Sequence, residues 1–149
     1  MSRQKPRTVL GWREWAALPD FGVERIKVKL DTGARTSALH AFGLKEIEID
    51  GLAVARFEIH PIQRSTREPV LVQAPIIARR AVRSSTGHRQ NRPVIRTPIT
   101  IGERTWEIDV TLTQRDEMGF RMLLGRRALR GVLVDSSRSW LGGRRIVHP

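Results

Sequence analysis

The tripeptide Asp31-Thr32-Gly33 is the part of this 149-residue sequence that most directly indicates chemistry. A carboxylate at the end of a strand is held firmly by the backbone, Thr32 supplies a hydroxyl that can fasten the loop, and Gly33 permits a tight turn and close approach. Two such carboxylates about 3 Å apart share a proton, so that one activates water and the other protonates an amide oxygen. Asp31 is therefore a candidate catalytic carboxylate, although the same tripeptide also occurs in ordinary turns.

The residues before and after Asp31 carry the pattern of β-strands. From Glu24 to Asp31 apolar side chains alternate with charged ones, as in a half-buried strand. Asp50-Gly51 and Gly102-Glu103 each separate two apolar runs, which indicates hairpins. Further strands are predicted at 44–50, 53–60, 69–74, 94–101, 105–112, 122–124 and 132–134, with one helical turn at 126–130. Many short strands without a long amphipathic helix predict an all-β sandwich or barrel.

Composition indicates one soluble domain, residues 1–149, with an anionic partner. The chain has 27 basic and 15 acidic residues, a net charge of +12, and no cysteine, which fits a reducing compartment. No signal peptide is recognisable, and no apolar run approaches the roughly 20 residues that span a bilayer. We expect a cytoplasmic protein. Codon bias in a GC-rich genome would also explain why arginine outnumbers lysine, but it explains the net charge less well.

A basic segment between residues 76 and 96 contains no acidic residue. Its cationic members and one histidine are Arg79, Arg80, Arg83, His88, Arg89, Arg92 and Arg96. Guanidinium groups bind carboxylates through two parallel hydrogen bonds, so this segment is a candidate substrate-binding region for an acidic peptide. The alternative is a solvated basic loop with no specific role.

Two motifs about 90 residues apart resemble those of the retropepsin family of aspartic peptidases. Leu30–Ala34 resembles the family's early Leu-Asp-Thr-Gly-Ala motif, and Met122–Leu129 resembles its late apolar-apolar-Gly-Arg motif with a short helix. The resemblance implies a closed β-barrel with a flap hairpin and one short C-terminal helix. It implies catalytic roles for Asp31, Thr32 and Gly33, and structural roles near the site for Ala34, Gly125 and Arg126. Because the chain has one such tripeptide, a homodimer would supply the second Asp31.

A narrower group is also similar: small bacterial retropepsin-like proteins that accompany the RimK glutamate ligase. The matching stretches are Lys29–His40 and Gly87–Pro93. The resemblance implies removal of poly-glutamate tails from ribosomal protein S6. Substrate binding would then fall to Arg35, Arg79, Arg80, Arg83, His88, Arg89 and Arg92. A cation at Arg35 is expected to favour the ionised form of Asp31 and to move the working pH towards neutrality.

Members of that group are often described as ATP-dependent zinc proteases, but these residues support neither half of the description. The sequence has no Gly-rich phosphate loop and no His-Glu-x-x-His. Its histidines, His40, His60, His88 and His148, lack the spacing of metal ligands. We expect no cofactor and no metal.

The main alternative is a basic β domain that binds ribosome or nucleic acid without catalysis. The charge favours this reading, because phosphate contacts alone give useful affinity. The aromatic residues count against it, because they are not expected to cluster with the arginines as a stacking platform requires. Trp12, Trp15 and Trp106 are expected in the core or at an interface. A third alternative is a noncatalytic peptide-binding module.

Overall fold

A computed structural model describes residues 7–61, 69–83, 87–114, 119–142 and 144–146. Its secondary structure consists of β-strands and two short 3-10 helices. The strands are β1 (Arg7–Gly11), β2 (Arg13–Leu18), β3 (Val23–Leu30), β4 (Ser37–His40), β5 (Phe42–Ile49), β6 (Leu52–Ile59), β7 (Val70–Pro75), β8 (Ala78–Arg83), β9 (Arg89–Ile101), β10 (Arg104–Thr113), β11 (Met122–Leu124), β12 (Val132–Asp135) and β13 (Arg144–Ile146). The 3-10 helices are Pro19–Phe21 and Arg126–Leu129.

Six strands form a closed barrel in the order β10-β4-β11-β3-β2-β9, and pairing of β9 with β10 closes the ring. The alternation along β3 is the one expected: Ile26 and Val28 are fully buried, whereas Arg25, Lys27 and Lys29 alternate with them on the outer face. Closure removes the exposed edges that an open sheet would present. The structure confirms the predicted all-β class and the closed retropepsin-like barrel.

Two hairpin turns lie where the sequence predicts them. Asp50 and Gly51 both have positive φ, 51° and 80°, which suits a two-residue turn between β5 and β6. Gly102 has φ 62° between β9 and β10. The predicted helical turn after Gly125 is the second 3-10 helix.

The remaining strands build on this barrel. β8 extends it by pairing with β9, and this hairpin occupies the position of the expected flap. Strands β5, β6 and β7 form a second sheet, while β12, β1 and β13 form a third. Within the residues described, no helix is long and apolar enough to cross a bilayer.

Parallel pairing brings the two sequence motifs together. β3 and β11 run side by side in the same direction, with Leu30 opposite Leu124. Their last residues are followed by Asp31 and Gly125 respectively, so both motifs emerge at the same end of the barrel. This arrangement places two stretches that are 90 residues apart in sequence next to each other.

Candidate active site

Backbone hydrogen bonds hold the Asp31 loop against the end of β11. The Asp31 N–H donates to the carbonyl of Leu124 at 2.8 Å, and the Ala34 N–H donates to the carbonyl of Asp31 at 3.1 Å. One oxygen of the Asp31 carboxylate, Oδ1, accepts the Gly33 N–H at 2.9 Å. Asp31 is half-buried, whereas Thr32 and Gly33 are exposed. The carboxylate is thus fixed in place and remains open to solvent and to another chain.

Gly33 is placed so that a side chain would meet the carboxylate. A Cβ at this position would lie 3.2 Å from Asp31 Oδ1, which is closer than ordinary packing. Glycine therefore lets the loop turn tightly around the carboxylate while its N–H stays within hydrogen-bonding reach.

The second motif supports the loop from beneath. The Arg126 side chain donates from Nη1 to the carbonyls of Thr32 at 3.3 Å and Gly33 at 3.1 Å. The Arg126 main-chain N–H donates to the carbonyl of Ala34 at 2.7 Å. Arg126 therefore contacts the backbone of the Asp31 loop at three carbonyl groups, and these contacts can hold the loop in place.

Gly125 lies directly against the backbone of Thr36. A Cβ at Gly125 would lie 2.5 to 2.7 Å from the main-chain O, C and N of Thr36, a distance that real structures do not tolerate. The Gly125 N–H also donates to the Ser37 hydroxyl at 3.1 Å, and that side chain is buried. Ser37 is a residue that the sequence did not single out, and no local pattern marks it.

A pocket of about 300 Å³ begins where the Asp31 loop ends, and we call it the Arg80 pocket. Its lining residues come from β4, β8, β9, β10 and the second 3-10 helix. They are Thr36, Ser37, Arg80, Val94, Arg96, Glu107, Ile108, Asp109, Thr111, Arg127 and Ala128. Thr36 and Ser37 belong both to this wall and to the packing against Gly125, so the pocket and the Asp31 loop are structurally continuous.

The arginines that line the Arg80 pocket differ in whether they form an ion pair. Arg96 donates to Asp109 at 2.9 Å, and this hydrogen bond, followed by the charge of Asp109, raises the pKa of Arg96. Arg80 and Arg127 form no ion pair within the part of the chain that the structure describes. The Arg80 Nε is buried and has no hydrogen-bond partner among those same residues. A buried donor without a hydrogen-bond partner is costly.

The hairpin of β8 and β9 divides the predicted substrate-binding arginines between its two faces. Arg80 and Arg92 are cross-strand partners on one face, while Arg83 and Arg89 are partners on the other. Arg79 shares the face of Arg83 and forms an ion pair with Glu46 of β5. The hydrogen bond from Arg79 and the charge of Glu46 raise the pKa of Arg79. Of the predicted set, the structure therefore brings Arg80 to the Arg80 pocket.

The other predicted binding residues lie elsewhere on the surface. Arg35 is exposed, and its carbonyl accepts the Arg127 N–H at 3.2 Å. His88 is exposed just before β9, and residues 84–86 lie outside the described residues. Arg92 is buried and donates from Nε and Nη2 to the Gln90 amide oxygen at 3.3 and 3.2 Å. Arg96, a member of the basic segment, and Arg127, which lies outside that segment, also line the Arg80 pocket.

Two histidines that are 20 positions apart in sequence lie close together in the structure. His40 and His60 stack on the Phe42 ring, with centroid separations of 4.0 and 3.7 Å. The guanidinium of Arg121 lies 4.8 Å from the centroid of the same ring. Among the residues that the structure describes, no three His, Asp or Glu side chains converge in a way that could hold a metal ion.

The expectation that the aromatic side chains would not cluster with arginines was wrong. Trp15 is 36% exposed and stacks on Trp140, which is 40% exposed. Arginine and lysine side chains surround this pair. The sequence separates the two tryptophans by 125 positions, and only closure of the fold places them in contact. Trp106 is half-buried as expected, and its indole N–H donates to the carbonyl of Ala128 at 2.9 Å.

Comparison with proteins of known sequence finds long relatives of this chain. A protein from Desulfotalea psychrophila described as a probable alpha-L-glutamate ligase is 40% identical over 134 residues, covering 90% of this chain and 29% of that protein. One of the same description from Shewanella halifaxensis is 43% identical over 136 residues, covering 91% and 30% respectively. The chain thus spans less than a third of the length of these curated relatives.

A solved structure and a family model give the remaining comparisons. The crystal structure of a Legionella pneumophila protein of unknown function matches with a TM-score of 0.71 at 28% identity, covering 90% of this chain and 97% of that one. The model of the RimB-like family, described as the retropepsin-like aspartic endopeptidase RimB, matches residues 9–145. The match includes both the Asp31 loop and the Gly125-Arg126 support, and the chain therefore belongs to the RimB-like family of retropepsin-like aspartic endopeptidases.

Proposed function

We propose that this protein is an aspartic-type peptidase that removes poly-glutamate tails from ribosomal protein S6. The observation that carries the proposal is the Asp31 carboxylate, which accepts the Gly33 N–H, while the Asp31 main-chain N–H donates to the Leu124 carbonyl, on a loop that remains open to solvent. A fixed, accessible carboxylate is what activation of a water molecule requires. The family to which the chain belongs supports the reaction class.

The chemistry needs a second carboxylate, and the proposal assigns it to Asp31 of a second copy. Thr32 and Gly33 are exposed at the tip of the loop, so a two-fold arrangement can bring two loops together without rebuilding either one. The two carboxylates would share one proton: the ionised one takes a proton from water as the water attacks the carbonyl carbon, and the protonated one donates to the carbonyl oxygen. The protein would act as a homodimer.

The Arg80 pocket supports an acidic substrate. The guanidinium groups of Arg80 and Arg127, which line the pocket, can bind a glutamate side chain placed beside the scissile bond. Thr36 and Ser37 connect this pocket to the Asp31 loop, so recognition and cleavage would take place on one continuous surface. Exposed Arg83 and Arg89 on the hairpin would attract the rest of an acidic tail.

The relatives support the link to glutamate chemistry. A segment similar to this chain makes up less than a third of the length of proteins described as probable alpha-L-glutamate ligases. A peptidase that acts with such a ligase would cut the bond that the ligase makes. The proposal therefore places the protein in the cytoplasm with a functional link to the RimK ligase and to S6.

The test uses S6 that carries a glutamate tail, with tail length followed by mass spectrometry. Wild-type protein is expected to shorten the tail in the presence of a metal chelator, and Asp31→Asn is expected to lose the activity. Asp20→Asn, a change of the same kind on the exposed first 3-10 helix, is the control and should retain it. Circular dichroism establishes that both variants fold.

Different failures would identify different errors. Suppose that wild-type protein leaves the tail intact but cleaves an unrelated peptide. This result would refute the proposed substrate and would leave the proposed peptidase activity standing. Cleavage that survives Asp31→Asn but stops with chelator would refute the aspartic mechanism.

A further inference from the structure

A surface of aromatic and cationic side chains covers the outer face of β2 and β3. It consists of Arg13, Trp15, Arg25, Lys27 and Trp140, and we call it the Trp15–Trp140 surface. It plays no part in the proposed cleavage of a glutamate tail, and its chemistry differs from that of the Arg80 pocket. Its aromatic rings are a feature that an acidic peptide does not need.

The rings and cations are in close contact. Trp15 and Trp140 stack with centroids 5.2 Å apart and planes 19° apart. The guanidinium carbon of Arg25 lies 3.8 Å from the Trp15 ring centroid, and that of Arg13 lies 5.0 Å from the Trp140 centroid. The Lys27 ammonium lies 5.4 and 5.7 Å from the two rings. Planar groups thus follow one another along the surface, with positive charge beside each of them.

The fold keeps these side chains on the outside. Strand alternation turns Arg13 and Trp15 away from the core, and pairing of Trp15 with Lys27 places that lysine beside the ring. Trp140 has φ 61°, which is rare for a bulky residue, and its N–H donates to the carbonyl of Arg13 at 3.1 Å. Such a backbone outlier is retained where the surrounding structure enforces it, often for a functional reason.

A shallow groove continues the surface. It has a volume of about 290 Å³, and Trp15, Arg25, Thr100 and Gly102 are among its lining residues. The groove is open to solvent, and one of its walls is formed by a stacked indole and guanidinium.

We propose that the Trp15–Trp140 surface binds single-stranded nucleic acid. Unpaired bases stack on indole rings and on guanidinium planes, and this stacking tolerates any base sequence. Arg13, Arg25 and Lys27 would contact the phosphates of the same strand. Duplex bases are already stacked and paired, so the surface favours single strands over duplexes. The net charge of +12 adds general attraction for the phosphate backbone.

The experiment measures fluorescence polarisation with labelled 12-nucleotide probes: oligouridine RNA, oligothymidine DNA, an abasic strand of equal charge and a duplex. Both single strands are expected to bind, and the abasic strand and the duplex are expected to bind several-fold more weakly. Three phosphate contacts predict a slope of log affinity against log salt of about −2 for a single strand. Trp140→Leu and Trp15→Leu are each expected to weaken oligouridine binding about tenfold, the usual effect of one lost stacking contact.

A matched pair of double variants separates this surface from general charge. Arg25→Ala with Lys27→Ala removes two cations beside the rings, and Lys45→Ala with Arg56→Ala removes two exposed cross-strand cations from the β5–β6 sheet. The first pair should weaken binding and flatten the salt slope far more than the second. Equal losses from the two pairs, abasic binding as tight as oligouridine, or tighter binding of the duplex would each overturn the proposal. Unaltered oligouridine binding in the folded tryptophan variants would overturn it as well.

Discussion

Glu14 is a buried carboxylate whose role is structural. It is 1% exposed, and its side chain accepts the N–H groups of Gly11 at 2.6 Å, Leu141 at 2.9 Å and Gly142 at 3.0 Å. These bonds fasten the segment after Ser139 to the turn between β1 and β2. Burial of a charge is tolerated here because main-chain donors surround it. One side chain thereby fixes the backbone that presents Trp140.

Glu14→Gln tests this role. The amide keeps the shape of the side chain, but its NH2 group cannot accept a hydrogen bond, so at least one buried main-chain N–H loses its partner. We expect the free energy of unfolding to fall by about 1–3 kcal/mol, the cost of an unsatisfied buried donor. Urea unfolding measures the change, and exposed Glu103→Gln is the control. Equal unfolding midpoints for the two variants would contradict this account of Glu14.

Gly125→Ala tests how closely the two motifs pack. The added methyl group would overlap the Thr36 backbone, at 2.5 Å from its oxygen, so the Asp31 loop would have to shift. We expect the free energy of unfolding to fall by about 1–3 kcal/mol, which is typical of overpacking. We also expect a large decrease in kcat. Because no side-chain movement can relieve a clash with backbone, the shift is expected to reach the carboxylate itself.

Gly22→Ala is a control for the stability loss. Its Cβ meets nothing within 4 Å, but φ is +70°, so alanine costs about 1–2 kcal/mol through the backbone alone. The two variants should therefore have similar thermal stability and different activity. If Gly125→Ala retained wild-type kcat, close packing against Thr36 would not matter to the site.

At the scale of elements, the hairpin of β8 and β9 presents two chemically different faces. One face directs Arg80 into the Arg80 pocket, whereas the other carries Arg79 and its ion pair with Glu46. Arginines adjacent in sequence therefore have different surroundings, because successive side chains of a strand point to opposite sides. The sequence grouped them as one basic segment.

Arg80→Ala and Arg79→Ala are matched substitutions that test the division. Loss of a hydrogen bond to a charged group predicts about a tenfold rise in KM for a glutamate-tail peptide with Arg80→Ala. Arg79→Ala should change KM little, because an exposed ion pair contributes little to binding or stability. Steady-state kinetics with the same peptide measures both values. A larger KM effect for Arg79→Ala would assign recognition to the other face.

Sequence patterns were sufficient for some elements and insufficient for others, for physical reasons. Strict alternation in β3 and Asp-Gly between β5 and β6 are local signals, and both predicted elements are present. β4 (Ser37–His40) has only four residues and lies inside the barrel wall, so it shows no local pattern of its own. β8 was not predicted as a strand. Arg80 and Val82 are less exposed than the residues on either side of them, but the many cations obscure this alternation in the sequence.

The parts of the site could be predicted to the extent that they are contiguous in sequence. Asp31 and Gly33 were identifiable because the loop is one short segment. Ser37 and Arg127 line the same pocket as Arg80 only because elements far apart in sequence converge, and nothing local distinguishes these two residues. The Trp15–Trp140 stack was missed for the same reason.

At the scale of the whole molecule, the charge of +12 is distributed between surfaces of different character. The Arg80 pocket sets three arginines against Glu107 and Asp109, so its lining keeps a net positive charge. The Trp15–Trp140 surface combines cations with rings. The net positive charge of the protein can therefore attract two kinds of anion. The groups next to the cations on each surface then determine which anion binds there.

The proposed dimer gives a prediction that involves the whole protein. If each active site needs Asp31 from two copies, an inactive subunit will suppress an active one. Wild-type protein mixed with a ninefold excess of Asp31→Asn, after subunit exchange, should keep about a tenth of its activity, since random pairing leaves few all-wild-type dimers. A ninefold excess of an inactive variant that does not form dimers with wild-type chains should leave the activity of the wild-type protein unchanged. Activity per wild-type chain is followed with the glutamate-tail assay at fixed wild-type concentration, and ultracentrifugation measures the dimer at the same concentration. Unchanged activity in a mixture shown to contain mixed dimers would mean that one Asp31 suffices, and that the second acid comes from elsewhere in the same chain.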